Sequence, residues 1–224
     1  MSASARTTRS SRRSRAWCRS TKASGHREFK GRWAAISLFS CPHEKRGRSP
    51  MLEELKTERL LLRPLAPADA ERLTGLANNW NVAAMLARMP YPYSLDMAEG
   101  WIARQAAQRA DGEEFAYAVT NGDGFIGCCG VQSHADGTHE IGYWIGEPYW
   151  NRGYASEAAS AVLGEATRRF GAGTVIAGHQ ADNHASGRVL TKLGFRYTGE
   201  ESRWCEARQE KVRCLTMKLA QTGK

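Results

Sequence analysis

A chain of 224 residues suffices for one ordinary domain with an appendage and a sizeable buried core, which excludes a peptide-scale scaffold. At 42% hydrophobic and 25% charged residues its composition is globular, and the longest apolar stretch, residues 33–41, is under half of a bilayer span, which excludes a transmembrane helix. The net charge of +9 sits at one end: residues 1–50 hold 13 Lys/Arg against 2 Asp/Glu, and the rest 19 against 21.

Residues 1–32 are dominated by Ser, Thr, Ala and Arg with almost nothing large and apolar, so they cannot bury enough surface to offset ordering entropy. Residues 1–50 are therefore expected to be a basic disordered arm or a spurious N-terminal extension, since Met51 opens a stretch that reads as a natural start. A transit peptide, a nucleic-acid-binding tail and an export signal built on Arg12 and Arg13 are the other readings of this arm. The six cysteines form no C-x-x-C pair, and Cys128 and Cys129 are adjacent, which suits reduced thiols in a cytoplasm. The six histidines have no metal-ligand spacing, so no metal site is expected.

In chain order, residues 59–65 read as a strand and 67–79 as a helix with Ala70, Leu73, Leu76 and Ala77 on one face. An aromatic- and Met-rich connection, 80–94, precedes a helix over 95–110. Three short β-rich runs, 114–120, 125–132 and 140–145, are separated by turn-forming stretches and predict an antiparallel meander. The clearest helix follows: Ala159, Val162, Leu163, Ala166 and Phe170 share a face, with Glu157 in the first turn, Arg168 and Arg169 in the last, and Gly171 beyond. A strand over 174–177, a helix over 184–193 closed by Gly194, and strands over 195–198 and 211–219 complete an α+β order. This is a mixed sheet with flanking helices, not a doubly wound α/β array.

The junction at 140–166 is the most informative stretch, because a strand feeds through a short loop into the strong helix. Four N–H groups at a helix start lack intrahelical partners, the macrodipole is positive there, and Gly153 and Ala155 admit a ligand close to the backbone. A pyrophosphate fits such a loop, yet neither a Walker P-loop nor a dinucleotide fingerprint is present. An ordinary tight turn at Arg152-Gly153 is the alternative.

A second segment, 183–195, sets Asn183 and Ser186 ahead of Gly194 and Phe195. With "TERLLLRPL", "IGYWI" and "WNRGYASEA", it completes four blocks in an order that resembles the GNAT family of acyl-CoA N-acetyltransferases, in its RimJ/RimL-like branch, over residues 56–219. One departure is Trp150, which stands where the general family pattern has Gln or Arg. The resemblance implies a GNAT fold over 51–224, with a mixed, mostly antiparallel central sheet, and acetyl-CoA as co-substrate. It implies that Asn151, Arg152, Gly153, Tyr154, Ala155 and Ser156 receive the CoA pyrophosphate, and that the pantetheine arm lies along Tyr143, Trp144 and Ile145. It also places Asn183 near the pantetheine and Ser186 facing the sulfur; a helix cap and a surface hydroxyl are their plain structural readings.

The chemistry asks for a neutral acceptor amine, a backbone donor to the oxyanion such as the Ile145 amide, and at most a weak proton donor to the thiolate, for which Ser186 is the candidate. Glu140 is the candidate base, with His139 and Glu206 as alternatives and a solvated strand end as its plain reading. Direct transfer is expected over a Cys acyl-enzyme, because a β-run points at least one of Cys128 and Cys129 into the core. Trp80, Tyr91, Tyr93 and Trp101 either line an acceptor groove or cover the sheet.

An α-amine with pKa near 8 is far more often neutral at pH 7 than a lysine at about 10.4, so a protein N-terminal α-amine is the expected acceptor. The alternatives are a small-molecule amine (an antibiotic or polyamine), or an inactive GNAT-like body with a nucleic-acid-binding arm. No membrane partner is expected, nucleic acid is left to the arm alone, and monomer and homodimer both stay open.

Overall fold

The computed structural model describes Met51 and residues 53–220. The expectation of a disordered or spurious arm over 1–50 lies outside the described residues. Thirteen elements carry the fold. They are β1 (Leu55–Lys56), β2 (Leu61–Pro64), α1 (Ala70–Ala77), α2 (Trp80–Ala83), α3 (Leu95–Asp111), β3 (Glu114–Asn121), β4 (Gly124–Ser133), β5 (His139–Ile145), α4 (Tyr154–Phe170), β6 (Val175–Gln180), α5 (His184–Lys192), β7 (Phe195–Cys205) and β8 (Glu210–Leu219).

The eight strands form one sheet in the order β1-β2-β3-β4-β5-β6-β8-β7, antiparallel throughout except for β5 beside β6. Both faces are covered. On one face, α4 buries Ala158, Ala159, Val162, Leu163 and Ala166 against Tyr117, Val131, Ile141 and Val175. The opposite face packs Leu73, Ala77, Ala98 and Ile102 of α1 and α3 on Ala118, Phe125 and Cys128. Strand alternation therefore sends Cys129 under α4 and Cys128 under α1 and α3, and burial raises both thiols well above the ordinary range.

Several elements differ from the sequence reading: β1 was not expected as a strand, and β6 extends to Gln180 rather than ending at residue 177. β7 runs eleven residues rather than four, because an edge strand is held by its ladder to β8 and needs no apolar face; its middle residues are nearly all exposed. Residues 80–94 also contain the single-turn helix α2, capped where the Asn79 side chain accepts from the Asn81 amide at 2.9 Å.

Candidate active site

β5 pairs with β4 along its whole length, but with β6 only at His139, Glu140 and Ile141. Beyond that point the two parallel strands part. The Gly146 N–H donates to the Ile126 carbonyl at 2.9 Å, so alternation turns the main-chain groups of Tyr143 and Ile145 away from β4 and into the gap. The Trp150 indole N–H donates to the Ile145 carbonyl at 2.5 Å, which ties the strand end to the loop that follows.

That loop passes through a single 3-10 turn at Glu147–Tyr149 and reverses at two left-handed residues, Asn151 (φ 60°) and Gly153 (φ 81°), before α4 begins at Tyr154. Gly153 is the N-cap and offers no side chain to the first-turn amides, so the N–H groups of Tyr154, Ala155 and Ser156 face outward at the positive end of the helix dipole. Arg152 is exposed, its guanidinium 5.8 Å from the Tyr149 ring centroid. Arg59 and Thr57, from the segment joining β1 to β2, converge on the same place. The Glu157 carboxylate accepts from Thr57 Oγ1 (2.6 Å), the Arg59 amide (2.9 Å) and Arg59 Nε (2.8 Å), while Arg59 Nη1 donates to the Arg152 carbonyl at 3.0 Å. Burial works against the ionised Glu157, but these hydrogen bonds outweigh it and hold its pKa below the usual carboxylate range.

Across the gap, Asn183 caps α5 by accepting from the Ser186 amide at 3.1 Å. The Tyr143 hydroxyl lies 3.0 Å from Ser186 Oγ and donates to the Ser186 carbonyl at 3.2 Å, so β5 and α5 meet at their polar groups. Burial raises the Tyr143 pKa, against the hydrogen bond with Ser186, which lowers it. α5 also lies close on β6 and β7 at Gly187, where a Cβ would stand 2.9 Å from both His179 Nε2 and the Tyr197 hydroxyl.

Glu140 points to the other face of the sheet. Its carboxylate pairs with Arg203 Nη1 at 2.6 Å and with His134 Nε2 at 3.2 Å, and Arg203 also holds Glu201. Burial lowers the Arg203 pKa, but Glu140 and Glu201 together leave it raised. These groups line a cleft of about 370 Å³ that also touches Ile176, Thr198 and Thr216. His139 turns the opposite way, stacked on Phe170 at 3.7 Å between centroids and bonded to Ser133. Glu206 sits in the β7–β8 turn beside Gln209.

The four aromatics expected at the acceptor groove separate: Tyr93 and Trp101, the latter on α3, pack into the core with α1 and α3, while Trp80 and Tyr91 form an exposed edge-to-face pair at 5.3 Å. Thr57, Arg59, His134 and Arg203 were not singled out from sequence. Thr57 and Arg59 lay within the block "TERLLLRPL" without a role of their own, and Arg203 carried no signal beyond its chemical type, because Thr57 and Arg59 meet Glu157, and Arg203 meets Glu140, only through the fold.

A parallel pair that opens beside a helix start with no side-chain cap is the architecture of a transferase that takes a thioester of coenzyme A. A family model described as "Acetyltransferase (GNAT) domain" matches residues 59–196, and the chain belongs to the GNAT acetyltransferases. It is 30% identical over 153 residues to the uncharacterised N-acetyltransferase YoaA of Bacillus subtilis (strain 168), covering 66% of this chain and 86% of that protein. Its fold resembles that of RimL, a ribosomal L7/L12 alpha-N-protein acetyltransferase solved with coenzyme A, with a TM-score of 0.65, 18% identity and coverage of 75% and 98% of the two chains. The microcin C7 self-immunity acetyltransferase MccE, solved with acetyl-CoA and AMP, has a TM-score of 0.61 at 17% identity, covering 73% and 94%. The protein is thus an acetyl-CoA-dependent N-acyltransferase. Among the described residues no group of three or more His, Cys, Asp or Glu is placed to hold a metal ion, and no helix is long and apolar enough to cross a membrane.

Proposed function

We propose that this enzyme acetylates protein N-terminal α-amines, in the manner of the RimJ/RimL-like branch, by direct attack of the amine within a ternary complex. The observation that carries the reading is the division of polar groups between the two faces of the opened sheet. Ser186 and Tyr143 lie on the α4 and α5 side, and Glu140 opens into a cleft on the other.

The residues fit acetyl-CoA. The outward amides of Tyr154, Ala155 and Ser156, with Asn151, Arg152 and Gly153 before them, would hold the diphosphate, and the gap beside Tyr143, Trp144 and Ile145 would take the pantetheine. Asn183, although engaged as a cap, stands at the wall of the same gap. When bound, acetyl-CoA supplies an acetyl group already activated as a thioester.

Each protein group then has one task. The Ile145 N–H, turned into the gap, donates to the carbonyl oxygen where negative charge develops. Ser186, steadied by Tyr143, delivers a proton to the departing sulfur, whose thiol pKa of about 8.5 asks for little help. Glu140 accepts the proton that the ammonium must lose, through water, while Arg203 and His134 fix its orientation. The buried, protonated Cys128 and Cys129 are poorly suited to act as nucleophiles, which supports direct transfer. Four buried free thiols also support a cytoplasmic setting, which belongs to the same proposal.

The test is a thiol-release assay with acetyl-CoA against N-terminal peptides, lysine side-chain peptides, polyamines and aminoglycosides. Preference for the peptide α-amines is expected. Turnover confined to polyamines or antibiotics would replace this reading with the small-molecule one, and none with any amine would leave the basic arm as the functional part.

A further inference from the structure

Glu157 presents a physical problem at the helix start. It stands in the first turn of α4, where a carboxylate favours the dipole, yet the same turn must receive a diphosphate that a bare carboxylate would repel. We infer that Arg59 is a positioning residue for the diphosphate, which locks the loop at 151–153 in its left-handed shape and screens the Glu157 charge from the incoming anion. This rests on the reading that residues 151–156 hold the cofactor's diphosphate.

One side chain reaches each part of the turn. Arg59 Nε and Nη2 grip Glu157 Oε2 at 2.8 and 2.6 Å, a geometry that only a planar guanidinium supplies. Nη1 donates to the Arg152 carbonyl at 3.0 Å, between the two left-handed residues Asn151 and Gly153. The guanidinium carbon lies 4.8 Å from the Tyr154 ring centroid, and Nη2 stands 3.4 Å from where a Cβ on Gly153 would be. Thr57 and the Arg59 amide occupy Glu157 Oε1, so both carboxylate oxygens are engaged by one segment of chain.

Arg59 thereby anchors the loop to the start of the sheet, 93 residues away in sequence. Of its five N–H groups, three are directed at Glu157 and Arg152. The side chain keeps 45% exposure, so its charge still faces solvent at the helix start.

A residue that prepares the loop without touching the reacting atoms acts on cofactor binding and leaves saturated turnover alone. A general loss of folded protein has the opposite signature, a lower apparent kcat at unchanged KM. The experiment is steady-state kinetics and CoA calorimetry on the full chain, at low and high salt, for Arg59→Gln, Arg59→Lys, Glu157→Gln and the Arg59→Gln/Glu157→Gln double variant, with melting curves alongside.

Arg59→Gln should raise the acetyl-CoA KM and the CoA Kd about tenfold with kcat within about twofold. Salt should reduce that deficit, since it screens the Glu157 charge that Arg59→Gln leaves uncompensated at the helix start. Arg59→Lys should recover part of the affinity through charge alone, and the double variant should bind CoA more tightly than Arg59→Gln because the uncompensated carboxylate is gone. An unchanged KM in Arg59→Gln, or a double variant no better than the single, overturns the inference. Gly153→Val separates this from its premise: if it leaves CoA affinity intact the loop is not the diphosphate site, whereas if it abolishes binding while Arg59→Gln leaves the acetyl-CoA KM and the CoA Kd unchanged, only the role of Arg59 fails.

Discussion

The Tyr143 hydroxyl on β5 meets Ser186 Oγ on α5 at 3.0 Å, across the point where β5 and β6 separate. When Tyr143 donates to the Ser186 carbonyl, its oxygen accepts the serine proton, so the two hydroxyls hold each other in one orientation until either rotates toward the gap. This pair gives Ser186 a defined direction that a surface hydroxyl lacks.

If Ser186 protonates the departing thiolate, Ser186→Ala should lower kcat by about ten- to a hundredfold and leave the acetyl-CoA KM nearly unchanged. Tyr143→Phe should lower kcat by a smaller factor, since it removes the partner and not the donor. A change in KM alone would show that solvent performs this step.

Gly153→Val should remove the thermal stabilisation that CoA gives the wild-type chain. Its φ of 81° costs a β-branched residue about 1–2 kcal/mol, so the ligand-free melting temperature should fall as well. Full stabilisation by millimolar CoA in a folded variant would place the cofactor elsewhere.

Glu140→Gln keeps the shape of the Arg203 contact and removes the carboxylate proposed as the base. Its kcat/KM should drop about ten- to a hundredfold at pH 7 and recover as pH rises past the acceptor's pKa near 8, where more amine is already neutral. A deficit that stays constant with pH would mean that Glu140 only braces Arg203.

Asp69 supplies a pH dependence of stability. Burial favours its neutral form, but the two-pronged pair with Arg63 (2.7 and 2.8 Å) and the Ala66 amide lower its pKa on balance. A depressed carboxylate pKa stabilises the fold above the unfolded value near 3.9, and that contribution is lost as pH falls through the folded value. Asp69→Asn should therefore cost about 2 kcal/mol at pH 7 and flatten the acid limb of a melting-temperature profile below about pH 4. Parallel acid limbs in the two proteins would show that other carboxylates set it.

Local pattern was enough to identify the long elements and the loop. The α4 stripe from Ala159 to Phe170, the turn-bounded meander and the Gly153 loop are written in spacing that depends on neighbours within a few residues. The four motif blocks then specified the family, because chemistry at a strand-to-helix junction needs those residue types together. The full length of β7 was not legible, since an exposed edge strand is defined by the ladder of β8 and carries no apolar alternation. Nor were the partners of the site residues. Arg59 reaches Glu157, Arg203 reaches Glu140 and Tyr143 reaches Ser186 only once the strands are ordered and the helices packed, for each pair is separated by between 43 and 98 residues. The sequence by itself determined which groups are present and on which element each lies. The tertiary structure alone decided which charges meet, because a pairing across a sheet depends on strand order and face, and neither is encoded in the spacing along one segment.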